Sequence, residues 1–351
     1  MQKKSKISFT RLCAVSYDIA YLGTNPEGQE LATPFTAICQ YNHGEWSYEA
    51  FDFSLASLSL YEAPEQSYRI LYVLAEAGIA VDFDTKAREI LIPAKAPIRK
   101  DHRLGYLRKI RQIGEHLFAC GDGGQLLQRA SGGKWEILDP KFLDGPDATL
   151  DPSSKLRQHL FKMHDPSNNT QENFDLTSKL ILDNALNVIW DIAGLSEKDI
   201  YLASEKNAVY HYDGERISKL ETEADSGILA VHAVDADTVY ACGRDGNFLF
   251  GNSRDGFRKL SVPGSPVFNG MASFQGKLYL SSIGRPRGLF VFDGAKLERV
   301  EGDLVPGIDD VSAVSAVGDE VLWVMGEKDL LRFDGKTWER ILFPSSETMT
   351  P

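Results

Sequence analysis

Four cysteines, at positions 13, 39, 120 and 242, are all that 351 residues contain, and no two form a CxxC pair. That spacing excludes a zinc ribbon or a thioredoxin-type redox motif. Cys120 and Cys242 stand inside apolar runs, where cysteine acts as a small hydrophobe. No stretch approaches the roughly 18 consecutive apolar residues of a membrane span. The opening MQKKSKISFTRL is basic but lacks the apolar run of a secretory signal, so a reduced, cytoplasmic location is expected. Catalytic signatures are missing too. There is no GxSxG, P-loop or GxGxxG, and Gly121–Gly124 reads as a hairpin. The seven histidines show no HxH or HxxxH spacing, and Asp144, Asp147 and Asp151 crowd a loop that fails the EF-hand pattern because Gly145 is misplaced. Neither a metal nor a cofactor is expected. Positive charge is in short supply: 38 Lys and Arg face 50 Asp and Glu, for a net charge of −12. This argues against nucleic acid and anionic membrane and favours solubility or a basic partner.

What the chain has is turns, with 30 glycines and 15 prolines among 43% hydrophobic residues. Thr238–Val262 shows the unit. Val239–Cys242 is apolar, Gly243–Gly246 turns, Asn247–Gly251 returns, and Ser253–Gly256 turns again, which is a meander of hairpins. Asp-Gly pairs at 213, 255, 293 and 334 recur at intervals of 42, 38 and 41 residues. Tyr201, Tyr240, Tyr279 and Trp323 keep the same rhythm. A period near 40 with several short strands per unit is the signature of a β-propeller blade. Each unit opens on an apolar-x-x-apolar strand: Ile110–Ile113, Ile189–Ile192, Val231–Val234, Met271–Phe274 and Val314–Val317. Five blades follow, at 107–140, 187–221, 227–263, 267–301 and 311–344. Residues 53–93 parse as a further four strands, and the β-rich segments before them supply one more. The expected fold is all-β: one propeller domain over 1–351, of seven four-stranded blades, with six or eight as the alternatives.

One interval breaks the rhythm. Phe118 and Tyr201 are equivalent yet 83 residues apart, and the surplus lies in a polar insertion at 141–182 between two blades. Ser153–His164 within it could form a short helix. Long connections in compact repeat folds are functional or unstructured, and a degenerate extra blade is the third reading.

The run Gly243-Arg-Asp-Gly…Ser253-Arg-Asp-Gly-Phe resembles the BNR, or Asp-box, repeat of sialidase-type and photosystem-assembly-type propellers. Gly121-Asp122-Gly123…Trp135 and Asp334-Gly335…Trp338 keep parts of it. The resemblance implies a propeller built on a recurrent turn and carries no activity. In that turn Asp accepts backbone N–H bonds and Gly takes the positive φ.

In a propeller the connections from second to third strand, and from fourth strand to the next blade, share one face. That face should carry the insertion, with Asp144, Asp147 and Asp151, and also Asp122, Lys206, Arg244, Asp245, Arg285, Arg287, Glu327 and Lys328. These residues are the expected partner-binding set, because loops on a rigid scaffold carry binding. Arg111, Trp190, Asp191 and His232 alternate between the axis and the sheet packing, with Trp190 read as core. The function expected is a non-catalytic, protein-binding propeller, monomeric on its own. Its concrete form would be an immunity or inhibitor protein that occludes a basic toxin or enzyme, with charge steering the encounter. The alternatives are an enzyme acting on a glycan or carboxylated small molecule through Arg244, Arg285 and Arg287, and an assembly factor for a larger complex.

Overall fold

The computed structural model describes residues 7–26, 34–63, 68–91, 105–143, 187–300 and 310–344. Each repeat folds as its turns dictate, into four antiparallel strands taken in chain order. Blade 1 comprises β1 (Ile7–Ala14), β2 (Ile19–Pro26), β3 (Thr36–Asn42) and β4 (Glu45–Phe51). Blade 2 comprises β5 (Leu55–Glu62), β6 (Arg69–Ala75), β7 (Ile79–Asp82) and β8 (Arg88–Ile90). Blade 3 comprises β9 (Leu107–Ile113), β10 (His116–Gly121), β11 (Gln125–Arg129) and β12 (Trp135–Ile137). Blade 4 comprises β13 (Ile189–Ser196), β14 (Asp199–Ser204), β15 (Ala208–Tyr212) and β16 (Ile217–Lys219). Blade 5 comprises β17 (Ile228–Asp235), β18 (Thr238–Gly243), β19 (Phe248–Asn252) and β20 (Gly256–Lys259). Blade 6 comprises β21 (Phe268–Phe274), β22 (Lys277–Ser282), β23 (Gly288–Phe292) and β24 (Leu297–Arg299). Blade 7 comprises β25 (Ala313–Val317), β26 (Val321–Met325), β27 (Leu330–Phe333) and β28 (Trp338–Ile341). The seven blades are those expected. The insertion beyond Leu143, including the helix expected at Ser153–His164, lies outside the described residues.

The apolar alternation is spent between blades. Seven buried clusters each join two neighbours, such as Phe118, Cys120, Ile192 and Leu202 between blades 3 and 4. A belt of backbone bonds reinforces them where second-to-third-strand turns meet the entry to the next blade. Leu107 N–H donates to Glu76 O at 3.0 Å, Gly124 to Asn187 O at 2.9 Å and Gly246 to Pro266 O at 2.8 Å.

The ring closes between two blades that are each complete in chain order, so no strand is exchanged across the seam. Closure rests on Phe9, Leu22, Trp323 and Ile341 in a shared cluster and on Phe9 N–H donating to Glu327 O at 2.8 Å. Arg332 is the polar latch. It is 8% exposed, bonds Asp18 at 2.5 Å and Tyr17 O at 2.8 Å across the seam, and pairs with Glu339 within blade 7. The Tyr17 ring lies 4.1 Å from its guanidinium carbon.

The Asp-Gly hairpins are built as expected in three blades. Asp213 Oδ1 accepts the N–H of Glu215 and Arg216, both at 2.9 Å, and Asp293 and Asp334 repeat the arrangement. These N–H groups hold all three carboxyls below their ordinary pKa. Blade 5 departs from the expectation. Asn252, not Asp255, accepts the two turn N–H groups there, at 2.9 Å each, while Asp255 binds the Asn252 amide. The equivalent positions are therefore 213, 252, 293 and 334.

Candidate functional site at the propeller axis

The inner strands carry a second regularity. Six of them pair with their neighbours through a register shift near the start: between Phe9 and Arg11, Leu55 and Ser57, Ile189 and Asp191, Ile228 and Ala230, Phe268 and Gly270, and in β9 between Leu107 and Lys109. Each shift leaves one residue unopposed: Thr10, Ala56, Arg108, Trp190, Leu229 or Asn269. A β-bulge kinks a strand and re-aims the side chain it carries. All six of these residues line one cavity of about 350 Å³ at the axis. Arg244 and Ile283 line the same cavity, and they belong to second-to-third-strand turns. The cavity therefore opens on the face where the inner strands begin, the face that receives the connection leading into β13.

The lining is divided by chemistry. Blades 1, 3 and 4 contribute Arg11, Arg108, Lys109, Arg111, Trp190 and Asp191, and blade 5 adds Arg244 at the rim. Blades 5 to 7 contribute Leu229, Met271, Ile283 and Val314. Ala56 and Ser57 of blade 2 are small, and Arg11 lies across them with its Nε donating to Ala56 O. Among the described residues, five cations thus line a cavity whose only lining carboxylate is Asp191, in a chain of net charge −12.

Most of these groups are held in place from behind. Asp122 binds Arg108 through both oxygens, at 2.7 and 2.9 Å, and Arg108 stands 4.9 Å from the Trp190 ring centre. Glu205 accepts Trp190 Nε1 at 2.6 Å and Arg244 Nε at 2.9 Å. Asp191 accepts Arg111 at 3.2 Å and the Val231 N–H at 3.2 Å, with Lys109 Nζ at 3.7 Å. Arg11 has carbonyl acceptors only, on Thr10 and Ala56, and no carboxylate within ion-pairing distance among the described residues.

The crowding of like charge leaves an electrostatic signature. Asp191 pulls the Lys109 ammonium up, but burial together with Arg111 and Arg11 outweighs it and sets Lys109 below its ordinary value. Burial, helped by Arg108 and opposed by Glu76, lowers Arg11 as well. His232, one turn of the pleat further along β17, is held at about 4 by burial and by Arg111, and its Nε2 lies 2.7 Å from Ser273 Oγ.

The residues expected to bind a partner are scattered differently. Asp122 is 5% exposed and serves Arg108. Arg244 reaches the cavity rim. Asp245, Arg285, Arg287 and Glu327 are exposed on turns around it, and Lys206 and Lys328 are half-buried. Arg285 and Arg287 are not among the cavity-lining residues, so the cavity does not gather Arg244, Arg285 and Arg287 as the alternative enzyme reading requires. Asp144, Asp147 and Asp151 lie outside the described residues. Trp190, read as core, instead lines the cavity, because the bulge at Trp190 turns it out of the alternation.

Sequence reasoning missed Arg11, Arg108 and Lys109. The signal was present one step upstream in every repeat. Phe9-x-x-Leu12, Leu55-x-x-Leu58, Leu107-x-x-Ile110, Ile189-x-x-Ile192, Ile228-x-x-Val231, Phe268-x-x-Met271 and Val311-x-x-Val314 bracket the paired mouth residues. Ile189–Ile192 belongs to this upstream set, one step out of phase with Ile110–Ile113, Val231–Val234, Met271–Phe274 and Val314–Val317.

Among the described residues no group of three His, Cys, Asp or Glu is arranged to hold a metal ion, and no helix is long and apolar enough to cross a membrane. A second hollow, about 540 Å³, lies at the outer edge of blade 5 between Glu221, Glu223, Asp255 and Arg258. It forms where residues 221–223 pair along β20, with Phe257 N–H donating to Glu221 O at 2.8 Å. It brings together no positioned set of charges like that at the axis.

No protein-family model matches the chain. It is 30% identical over 151 residues to the immune protein Tsi7 of Pseudomonas aeruginosa, a stretch that covers 43% of this chain and 47% of Tsi7. The chain therefore spans about half the length of the curated relative it matches. Its fold is similar to that of YCF48 from Cyanidioschyzon merolae (TM-score 0.61, 12% identity, 96% of each chain). It is also similar to the WD40 propeller of Doa1 (TM-score 0.60, 11% identity, 94% and 93% of the two chains) and to YCF48 bound to a D1 peptide (TM-score 0.59, 12% identity, 100% and 96%). Likeness at this identity establishes the β-propeller and nothing finer.

Proposed function

We propose that this propeller is a non-catalytic immunity or inhibitor protein that docks a protein partner on the face around the axial cavity and occludes it. The observation that carries the reading is where the departures from the repeat collect. The cationic mouth, the exposed turns at Asp245, Arg285, Arg287 and Glu327, and the attachment points of the long connection between β12 and β13 all fall on one face. A rigid ring that varies on one face is a scaffold presenting a binding surface. The partial match to the immune protein Tsi7 supports the neutralising role, and the peptide complex of YCF48 is an example of a protein of this fold that binds a peptide.

The charge distribution suits a partner of mixed sign. The chain as a whole is acidic, so long-range attraction draws a basic protein, while the mouth receives a region of opposite sign. The test is removal of residues 145–178, followed by titration calorimetry against the partner recovered with the full-length chain. Loss of at least tenfold in affinity is expected; an unchanged affinity removes the insertion from the interface.

A further inference from the structure

The cationic half of the axial cavity is larger in charge than the fold requires. Arg108 is neutralised by Asp122, Arg244 by Glu205, and Asp191 is shared by Arg111 and Lys109. Among the described residues Arg11 has no such partner, and Lys109 has only Asp191, at 3.7 Å, beyond a good hydrogen bond. A guanidinium carries five donors and an ammonium three. Arg11 uses donors on two backbone carbonyls, so donors from Arg11 and Lys109 remain for something else. Against the pull of Asp191, burial and the neighbouring cations set Lys109 below its ordinary pKa, and Arg11, whose side chain is exposed at the mouth, faces the same like charge, which an anion between them would relieve.

We infer that the axial cavity is a binding site for an oxyanion, carboxylate or phosphate, that carries an apolar body. The anion would sit among Arg11, Lys109 and Arg111. The body would rest against Leu229, Met271 and Val314, with Trp190 as a flat wall beside it. The cavity volume of about 350 Å³ suits a small organic ligand or one side chain. The site is prepared beforehand: bulges present Arg108 and Trp190 at the mouth, and Asp122, Glu205 and Asp191 lock the neighbouring groups, so little ordering cost falls on binding. The inference goes beyond the docking reading, since it names a ligand chemistry and holds whether or not a protein supplies it.

The test is titration calorimetry of the full chain with inorganic phosphate, phenyl phosphate and benzoate at low salt. Phenyl phosphate or benzoate should bind saturably and at least about tenfold more tightly than inorganic phosphate, and the tighter of the two identifies the oxyanion. Arg11→Gln removes a cation that leaves no carboxylate orphaned, and it should weaken binding by about tenfold, the scale of one charge-assisted hydrogen bond. Lys109→Met is the second variant, with thermal melts confirming that both fold. Arg258→Gln, on the exposed outer strand, makes the same change in net charge and should leave binding intact. Absence of saturable binding by the folded wild-type chain overturns the inference. So does equal weakening by Arg258→Gln, which would show only general charge attraction.

Discussion

At the scale of single residues, two kinds of constraint operate. One is close approach. Gly243 ends β18 where the chain entering blade 5 passes over it, and a Cβ there would lie 2.0 Å from Gly227 O and 2.8 Å from Ile228 Cα. Gly121 meets Tyr106 O and Leu107 in the same way in blade 3. The obstruction is backbone, so no rotamer change relieves it. Gly243→Ala should lower stability by about 2 kcal/mol or more, as overpacking does, seen as a lower denaturant midpoint with an unchanged slope. The other constraint is titration. His232 protonates near 4 in the folded chain and near 6.5 unfolded. The unfolded chain therefore binds more protons between those values. The stability His232 contributes is complete above pH 6.5 and disappears as pH falls towards 4, on the order of 2 kcal/mol after allowing for its partial exposure. His232→Gln should flatten the wild-type fall in melting temperature across that window. Identical pH profiles for the two proteins would place the titration elsewhere.

At the scale of elements, the seam between blades 7 and 1 is the place where the ring depends on side chains instead of covalent continuity. Arg332 bonds three groups there while almost fully covered. Arg332→Ala removes the guanidinium that Asp18 and Glu339 share. The expected cost is about 2–3 kcal/mol, the lower end of a broken buried pair because both carboxylates keep some water. Hydrogen exchange should rise first in β1, β2 and β27, while β17 to β19 stay protected; uniform loss of protection would mean that the seam is no weaker than the other joints.

The elements were also where the chain was most legible. Tyr201, Tyr240, Tyr279 and Trp323 recur because blades 4 to 7 each need a large side chain at one place in the second strand, so each marks one blade. Asp213, Asp293 and Asp334 recur because the hairpin needs an acceptor for two N–H groups. Asn252 fills the same place in blade 5, where the Asp-Gly spacing points to Asp255, since either residue type can make the turn. The mouth was illegible for a different reason. Bulges break the alternation on which strand reading depends, so Trp190 reads as inward-packing and Arg108, just ahead of the Ile110–Ile113 motif, is not singled out. Only alignment of all seven inner strands, blade 7 included, places those pairs together.

At the scale of the whole molecule, an acidic chain gathers five cations at the axial cavity, and the same end receives the connection ahead of β13. Folding alone explains the blades, the turns and the seam. It leaves Arg11 with no carboxylate at ion-pairing distance among the described residues, and a ring of re-aimed side chains around an open cavity. A binding face accounts for both. The decisive measurement is affinity capture from the native host with three baits: the wild-type chain, the mouth variant Arg11→Glu/Arg111→Glu, and the outer-strand variant Arg258→Glu. The wild-type and Arg258→Glu baits should retain the same stoichiometric protein partner, and the mouth variant should lose it while still folded by its melting curve. Retention of that partner by all three baits, or its loss with Arg258→Glu alone, would contradict a docking face at the propeller axis.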